Sequence, residues 1–454
     1  MPASISRWAR SLPERYGRTT LVLLALIVLL GLGLRAYRVA EPLATPGDDA
    51  RAYYALSKAL YEEGSFGGPT FRDSSDWSPG APLLYAASFY ATGGAREGIA
   101  RIVEALLGVA AIVVVFLLGR RINCRPTGLL AALGVAVYPP FVHSTGELMS
   151  EPVAVFTLPA AVLAFLWASD RIRNGPSRGW LVPGFLLGLT ALIRPEYLVV
   201  GLTFVVLAGV RVGMARGWRP GLAGAALLLA AFLLPIVPWT VRNAVVLDRV
   251  VPISTGGGKA LYVGTFLPAD GEYQRVKAIL VERYLHRDLA PGSEALDRID
   301  PTPLFDRVAA RYPDIPRDSA LGKIGKQDFS KYIGEDPFGY AAMTVRKVWR
   351  MWSAGAGEAM SGTAGRVVQV LIVALALAGL GLLGARRRWW DLIALATPIV
   401  LVTAVGAASL AAPRRNEALM TLVFPLAAAT LSAAAAAISS GRPWFPRQAS
   451  SPQN

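Results

Sequence analysis

The sequence predicts an all-α integral membrane protein with about ten transmembrane helices. Of its 454 residues, 54% are hydrophobic and only 17% are charged, which exceeds the apolar content that the core of one soluble domain requires. Many apolar stretches approach the roughly 20 residues that a helix needs to cross a hydrocarbon layer of about 30 Å. Arginine-rich segments separate several of these stretches, as is typical of the cytosolic loops of membrane proteins.

The apolar stretches predict where each span lies. In order, they are residues 19–38, 99–118, 127–142, 151–168, 180–193, 195–212, 220–239, 364–384, 389–410 and 417–438. The first span follows several arginines and leads into Arg35 and Tyr37 without a small-residue cleavage site. We therefore predict that it is retained as a signal anchor.

The distribution of positive charge predicts the orientation of the spans. Lys and Arg in short loops are retained in the cytosol, and most loop arginines fall on the side of the N terminus. These arginines are Arg120, Arg121, Arg125, Arg171, Arg173, Arg178, Arg211, Arg216, Arg219, Arg386, Arg387 and Arg388. We therefore predict a multi-pass protein of the inner (plasma) membrane with both termini in the cytosol.

Two long polar segments, residues 39–98 and 240–363, then fall on the extracytoplasmic side, and each is too long to be a simple connection. The first has apolar residues at helical spacing from Ala50 to Glu63, and the second ends in alternating aromatic and basic residues from Phe338 to Trp352. Both patterns indicate interfacial helices. The predicted parts are an N-terminal transmembrane catalytic module that includes the first loop (1–239), an extracytoplasmic loop region (240–363), and C-terminal transmembrane helices with a cytosolic tail (364–454).

Composition argues against several kinds of site. The net charge of +15 arises largely from the loop arginines, so we expect no nucleic-acid partner. The single cysteine, Cys124, excludes an internal disulfide, and His143 and His286 stand far apart without the spacing of metal ligands. The run from Gly256 to Lys259 lacks the spacing of a phosphate-binding P-loop, and its glycines are interpreted as a turn.

Four arginines break the topology rule, because they fall at the extracytoplasmic ends of predicted spans. They are Arg194, Arg242, Arg414 and Arg415. A single arginine at such a position can simply reach the lipid phosphates. Together, the four indicate binding of an anionic ligand at headgroup depth, since a guanidinium group matches a phosphate with two hydrogen bonds. We predict that they bind the phosphate of a donor substrate.

Acidic residues on the same side supply candidate catalytic groups. Asp48 and Asp49 adjoin, and repulsion between neighbouring carboxylates raises the proton affinity of one of them, which suits a general base. Asp49 could instead cap the following helix, as Glu151 could cap the helix that begins near Pro152. Further candidate site residues are Glu147, Glu151 and Tyr53.

A carboxylate base and phosphate-binding arginines on one membrane face fit glycosyl transfer from a polyprenyl-phosphate sugar. The lipid anchors the donor phosphate at headgroup depth, and phosphate leaves with little protonation. In-line displacement would invert the anomeric carbon. The acceptor would be an envelope protein, lipid or glycan. No cofactor is required, although two aspartates and a phosphate could hold a divalent cation weakly.

At these residues the chain resembles the GT-C membrane glycosyltransferases, in particular the bacterial family 39 group related to protein O-mannosyltransferases and aminoarabinose transferases. The resemblance covers nearly the whole chain. The matching segments are Asp48-Asp49 to Tyr53-Tyr54, Ser150-Glu151-Pro152, Gly188 to Arg194-Pro195-Glu196, Pro238 to Asn243, Asp336 to Trp349, and Arg414-Arg415 before Pro425. It implies a GT-C fold, a polyprenyl-phosphate sugar donor, and Asp48 as the catalytic base. The protein mannosyltransferases show Asp-Glu where this chain has Asp48-Asp49.

Other functions for such a chain remain open. A transporter or flippase of an anionic lipid-linked substrate would also use many spans and an anion site. It predicts ionisable residues near mid-membrane and paired broken helices. A ligase for preassembled glycans would share the arginines without needing the Asp48-Asp49 pair, and a scaffold in envelope assembly would need neither.

Overall fold

The computed structural model describes residues 17–42, 48–67, 74–172, 177–360 and 362–440. Within these residues the chain is helical, with short 3-10 turns and no β-strand, which confirms the predicted all-α class. The predicted cytosolic tail and the loop residue Arg173 lie outside the described residues.

The helices are numbered in chain order. They are α1 (Arg18–Ala40), α2 (Asp48–Glu62), α3 (Gly80–Thr92), α4 (Glu97–Ile122), α5 (Arg125–Val137), α6 (Pro139–His143), α7 (Ser150–Asp170), α8 (Leu181–Ile193), α9 (Tyr197–Arg216), α10 (Trp218–Leu247), α11 (Gly257–Thr265), α12 (Tyr273–Leu285), α13 (Glu294–Asp297), α14 (Thr302–Ala309), α15 (Arg317–Glu335), α16 (Pro337–Ser353), α17 (Thr363–Ala385), α18 (Trp389–Ala408) and α19 (Glu417–Ser440).

Among the described residues, eight helices are long and apolar enough to cross a membrane: α1, α4, α7, α9, α10, α17, α18 and α19. Each coincides with a predicted span. The other two predicted spans, 127–142 and 180–193, correspond to the shorter apolar helices α5 and α8. Helix α5 ends at Val137 because two prolines, Pro139 and Pro140, follow it and the residue before a proline disfavours helical geometry.

Apolar helices that follow one another in the chain run in opposite directions when the shorter helices α5 and α8 are included, so the helix termini collect at two ends of the bundle. At one end, Arg121 of α4 pairs with Asp170 of α7 and Asp391 of α18, and Arg388 donates to the carbonyl groups of Arg121 and Ile122. The opposite end, called the site end below, holds the C termini of α1, α8 and α10 and the N termini of α7 and α19. Arg121 and Arg388, which the sequence predicted to share one membrane face, therefore meet at the end away from the site.

Helices α7 and α19 occupy the centre of the bundle. Every residue from Asn416 to Thr430 is buried, and α19 packs against α4, α5, α7 and α17. Helix α7 is buried along most of its length and packs between α4 and α8. Both central helices begin at the site end, so the polar residues in their first turns are enclosed by other helices.

Two glycines allow α8 to lie directly against α10. A Cβ atom at Gly184 would lie 2.4 Å from the carbonyl oxygen of Leu228, and one at Gly188 would lie 2.3 Å from that of Phe232. The two helices therefore meet backbone to backbone, as small residues allow in membrane bundles. This packing fixes the end of α8, and Arg194 follows it directly.

Helix α10 is longer than the sequence predicted. It continues through Pro235 and Pro238 to Leu247, so Arg242 lies inside the helix and does not follow it. Trp239 donates its indole N–H to the carbonyl of Ile253, and Asn243 donates to those of Val251 and Ile253. These bonds hold the chain that leaves α10 against its last turns. The predicted end of the span, residue 239, therefore lies within this helix.

Residues 257–335, called the loop subdomain below, build a second apolar core from helices α11 to α15. Its buried members include Tyr262, Val263, Val276, Leu280, Val281, Leu296, Leu304, Phe305, Leu321 and Ile324. Helix α16 then connects it to the bundle. The ammonium group of Lys347, which is fully buried, donates to the carbonyl groups of Gly264 and Ala407 at 2.8 Å each.

Both predicted interfacial segments form amphipathic helices. In α2, Tyr53 and Leu56 are buried whereas Arg51 and Lys58 are exposed, and the helix packs on α3. Helix α16 buries Tyr340, Met343, Lys347 and Met351 and exposes Phe338, Val345 and Trp349 on its opposite face. Exposed apolar residues beside basic ones suit a helix at the membrane interface.

Candidate active site

Asp49 and Arg414 join the first polar segment to the start of the central helix α19. Asp49 lies in the first turn of α2, and Arg414 lies in the 3-10 turn Pro413–Asn416 that leads into α19. Nη1 of Arg414 is 2.6 Å from Oδ2 of Asp49. The carboxylate of Asp49 is thus bound to a guanidinium group. The side chain of Asp48 lies outside the described part of the chain.

The contact between Asp49 and Arg414 continues into a longer series of alternating charges. Nε of Arg414 lies 3.9 Å from Oε1 of Glu151, which in turn lies 2.7 Å from Nη1 of Arg194. Nη2 of Arg194 lies 2.9 Å from Oε1 of Glu196. The series Asp49, Arg414, Glu151, Arg194 and Glu196 is called the charge chain below. It connects α2, α7, the end of α8 and the turn before α19 at the site end.

Glu151 is the central carboxylate of the charge chain and is almost completely buried. Helix α7 begins at Ser150, so Glu151 lies in the first turn and not at the capping position. A carboxylate there is stabilised by the helix dipole, and the hydroxyl of Ser150 donates to Oε2 at 3.1 Å. Burial of an ionised carboxylate in a membrane bundle is tolerated here because Arg194 neutralises it.

Glu196 and Arg415 form the far end of the site. Burial alone would raise the pKa of Glu196, but the charges of Arg194 and Arg415 outweigh burial and lower that pKa to about 2. Nη1 of Arg415 is buried and has no hydrogen-bond partner among the described residues. A buried guanidinium N–H without an acceptor is costly, so this atom marks a place where a bound anion would be favourable.

Tyr53 lies against the charge chain from the α2 side. Its hydroxyl interacts with the side chain of Ser150, and its ring packs edge to face on Trp77 with centroids 5.4 Å apart. Burial and the charge of Glu151 raise the pKa of Tyr53, so the hydroxyl keeps its proton at neutral pH. Tyr53, proposed from the sequence, is thus brought together with Asp49, Glu151, Arg194, Arg414 and Arg415.

Arg242 occupies a different position. Its Nη2 donates to the carbonyl of Phe66 at 2.8 Å, its Nη1 donates to Oδ1 of Asn243, and its guanidinium group lies 5.1 Å from the ring centroid of Trp239. Phe66 and Trp239 also pack on each other. These contacts connect α10 with the chain that follows α2, whereas none of them is to the charge chain.

Glu147 lies beside the charge chain, in a second ionic group near the end of α1. Its Oε1 is 3.0 Å from Nε2 of His143 and 3.7 Å from Nη2 of Arg38. Arg38 also pairs with Glu41 at 2.6 Å. Burial raises the pKa of Glu147, and attraction to His143 and Arg38 opposes that rise.

Glu104 supports the site from behind and was not recognised from the sequence. This buried carboxylate of α4 accepts backbone N–H bonds from Gly146, Leu148 and Met149 and the hydroxyl of Tyr85. Those amides belong to the loop before α7, where Leu148 has a positive φ of 57°. Glu104 therefore determines how α7 begins and where Glu151 is placed. The signal in the sequence was an acidic residue that, together with Arg101, lies within the predicted span 99–118.

Asp76, Arg317 and Lys259 also lie near Asp49 and were not recognised from the sequence as site residues. Asp76 pairs with Arg317 and accepts the hydroxyl of Thr255, which connects the first polar segment to the loop subdomain. Lys259 extends from the first turn of α11, and its charge lies near those of Asp49 and Asp76. The interpretation of the three glycines before Lys259 as a turn is wrong for Gly257 and Gly258, which begin α11.

In the part of the chain that the structure describes, no three His, Cys, Asp or Glu side chains are grouped closely enough to hold a metal ion. The acids of the charge chain are instead paired with arginines. The arrangement can bind an anion at Arg415 and present carboxylates beside it.

A family model described as dolichyl-phosphate-mannose-protein mannosyltransferase matches residues 76–240. That match covers just over a third of the chain. It begins at Asp76 and includes Glu104, Glu151, Arg194 and Glu196. No curated protein matches the sequence.

Solved structures of the oligosaccharyltransferase from Archaeoglobus fulgidus share the fold of the chain. The apo form aligns with a TM-score of 0.56 and 17% identity over 96% of this chain and 54% of that one. The complex of that archaeal enzyme, AglB, with an inhibitory peptide and a dolichol-phosphate aligns with a TM-score of 0.54 and 16% identity over 95% and 53%. The chain therefore spans about half the length of these structures. The predicted GT-C fold is confirmed.

Proposed function

We propose that the protein is an inverting membrane glycosyltransferase that moves a sugar from a polyprenyl-phosphate donor to an acceptor in the cell envelope. The observation that carries the proposal is the charge chain, in which carboxylates and arginines from distant parts of the sequence meet at one end of the bundle. The likeness to a mannosyltransferase family model and to an oligosaccharyltransferase fold supports the same reaction class.

Arg415 is the arginine best placed to bind the donor phosphate. Arg194 and Arg414 are already bound to carboxylates, and Arg242 is bound to a carbonyl and an amide oxygen. Arg415 has a buried Nη1 without an acceptor among the described residues. A departing phosphate would supply that acceptor, and its growing negative charge would be stabilised by the guanidinium group.

The acidic end of the charge chain supplies the base. Asp48 is proposed to take the proton from the acceptor hydroxyl, as the family resemblance implies, while Asp49 holds Arg414 in place. The oxygen of the acceptor then attacks the anomeric carbon, the bond to the phosphate oxygen breaks, and the electron pair leaves with the phosphate. Attack from the side opposite the leaving group inverts the anomeric centre.

Topology supports an extracytoplasmic site. The contacts of Arg121, Arg386 and Arg388 lie at the end of the bundle away from the charge chain. Because positive loop residues stay in the cytosol, we propose that this end is cytosolic and that the site faces the opposite side.

A transporter or flippase, the alternative function, would be expected to carry charges along a path through the membrane. In the described residues, most buried acids instead gather at the two ends: Glu104, Glu151 and Glu417 at the site end, and Asp391 at the other. This distribution favours a site that works at headgroup depth.

The proposal is tested with purified full-length protein, radiolabelled polyprenyl-phosphate sugars carrying different sugars, and envelope extract as acceptor. We expect transfer from at least one donor with inversion, and a loss of about 10²- to 10⁴-fold in the Asp48→Asn variant. Glu62→Gln is the matched control, since it removes an exposed carboxylate from the same helix. Transfer by folded Asp48→Asn at the wild-type rate would show that Asp48 is not the base, and lipid movement without transfer by the wild type would favour the flippase.

A further inference from the structure

The loop subdomain places one cation next to the acidic end of the charge chain. Lys259 is the third residue of α11, and its backbone N–H donates to Oδ1 of Asp318 at 3.0 Å. A Cβ atom on the neighbouring Gly258 would lie 1.8 Å from the carbonyl oxygen of Asp318. Helices α11 and α15 are therefore in backbone contact at this point, which fixes the start of the Lys259 side chain.

The ammonium group of Lys259 lies over two aromatic rings. It is 4.9 Å from the ring centroid of Phe305 and 5.2 Å from that of Tyr273, and these two rings stack with an interplanar angle of 19°. Within the described residues, no acceptor lies within hydrogen-bonding or ion-pairing distance of this ammonium group. Its three N–H donors are thus available for a ligand.

The surroundings of Lys259 differ from those of Arg415. The charged groups near Lys259 are Asp49, Asp76, Arg317 and Arg414, whereas those near Arg415 are Glu196, Arg194 and Arg414. Arg414 is common to both sets and lies between them. Lys259 therefore faces the end of the site at which α2 begins with the acidic pair Asp48 and Asp49. Arg415 faces the other end.

Other cations near Lys259 are already engaged. Arg414 pairs with Asp49, and Arg317 pairs with both Asp76 and Asp306. The charge of Lys259 has only ring contacts within the described residues. Burial lowers the pKa of Lys259, and the nearby carboxylates Asp49 and Asp76 oppose that shift.

We propose that Lys259 binds an anionic group of the acceptor, a phosphate or a carboxylate close to the hydroxyl that receives the sugar. This inference rests on the proposed function, because inverting displacement places the acceptor on the side opposite the leaving phosphate. With the phosphate at Arg415, the acceptor lies at the acidic pair and meets Lys259. The acceptor class is then an anionic glycan or lipid headgroup.

The test uses full-length protein in nanodiscs and small probes that represent the acceptor. Binding of glycerol phosphate and glucuronate is compared with binding of glycerol and glucose by saturation-transfer NMR, so that phosphate and carboxylate are separate arms. We expect at least one anion to bind wild-type protein about tenfold more tightly than its neutral counterpart. Lys259→Met should remove that preference, and Lys259→Arg should retain most of it.

A matched control and a second ligand make the result specific. Lys323→Met removes another lysine of the loop subdomain that lies over an aromatic ring, Tyr312, and should leave anion binding unchanged. Polyprenyl phosphate binding should be the same in Lys259→Met and wild type, and thermal unfolding reports whether each variant is folded.

Equal binding of charged and neutral probes, or an unchanged preference in folded Lys259→Met, would overturn the inference. A loss of polyprenyl phosphate binding in Lys259→Met would overturn it as well, since Lys259 would then face the donor. The proposed function fails separately, if wild-type protein does not bind polyprenyl phosphate or transfers no sugar while Lys259 still binds the anions.

Discussion

Nη1 of Arg414 lies 2.6 Å from Oδ2 of Asp49 although 365 residues separate them in the sequence. The pair is partly open, because the side chain of Arg414 is 50% exposed and that of Asp49 is 34% exposed. An ion pair with such exposure contributes little to stability, about 1 kcal/mol or less. Because Arg414 also lies next to Glu151, the ion pair instead positions the guanidinium group of Arg414 within the site.

The first prediction separates these two roles. Asp49→Asn should lower the free energy of unfolding by less than about 1 kcal/mol, because solvent screens the pair. Sugar transfer should nevertheless fall at least tenfold, since Arg414 loses the partner that positions it. Thermal unfolding and initial transfer rates measure the two effects. A large loss of stability with normal transfer would show that the pair is structural.

Glu151→Gln, in contrast to Asp49→Asn, should lower the free energy of unfolding strongly. Its partner Arg194 is buried, with a side chain only 11% exposed, and would keep its charge with one carboxylate fewer. Breaking a buried pair costs roughly 3–5 kcal/mol. Because Arg194 also pairs with Glu196, Arg194→Met should be destabilising by itself. The loss in the double variant Glu151→Gln/Arg194→Met should be smaller than the sum of the two single losses, and additive effects would argue against direct coupling.

A comparison of two arginines tests the assignment of the phosphate. Arg415→Ala should weaken binding of polyprenyl phosphate by roughly 10- to 100-fold, the effect of losing a charge-assisted hydrogen bond of about 1.5–3 kcal/mol. Arg242→Ala should change that binding much less, because Arg242 is bound to Phe66 and Asn243, and should lower thermal stability instead. Intrinsic tryptophan fluorescence can follow the titration. A stronger effect of Arg242→Ala on binding would reverse the assignment.

Lys347 gives a prediction on pH dependence. Burial, followed by the nearby charges of Arg350 and Arg415, lowers its pKa from 10.5 to about 8. The unfolded chain therefore holds this proton more tightly than the folded protein, and stability should rise between pH 8 and pH 10.5. As pH falls through 8, that contribution should be lost. Melting temperatures across this range should show a smaller slope for Lys347→Met than for wild type, and an unchanged slope would contradict the prediction.

Gly257 and Gly258 at the start of α11 allow a matched pair of alanine substitutions that tests the contact between α11 and α15. A Cβ atom at Gly258 would collide with the backbone of Asp318, whereas one at Gly257 has open space. Gly258→Ala should cost about 1–3 kcal/mol and displace Lys259, while Gly257→Ala should be close to neutral. Thermal unfolding and the anion-binding assay measure the difference. Equal behaviour of the two variants would mean that α11 and α15 are not in close contact.

The sequence predicted the fold well because a bilayer restricts what a chain can do. Apolar stretches located each of the eight long helices among the described residues, and the amphipathic pattern located α2. The same reasoning placed the end of α5 too late. Hydrophobic residues continue through Val142, whereas Pro139 and Pro140 end the helix after Val137. It ended the span of α10 too early, because the helix keeps its course beyond Pro238 to Leu247.

Prediction of the site was limited by a different factor. Arginines that violate the topology rule, such as Arg194 and Arg414, can be noticed individually, and a resemblance to known enzymes can suggest a common role. Contacts between segments cannot be predicted in this way. From the sequence, Glu196 lay at the start of a predicted span and Lys259 lay beside a glycine-rich turn. Nothing local shows that tertiary packing brings each of them to the charge chain.

The central position of α19 has a consequence for how the protein is made. The ribosome synthesises this helix after the other spans, yet it lies among α4, α5, α7 and α17 and carries Arg414 and Arg415 at its beginning. Until residues 413–440 have been synthesised, the acidic residues Asp49 and Glu151 therefore lack Arg414 as a partner. Chains that stop before residue 413 would lack Arg414 and Arg415 and could not complete the charge chain.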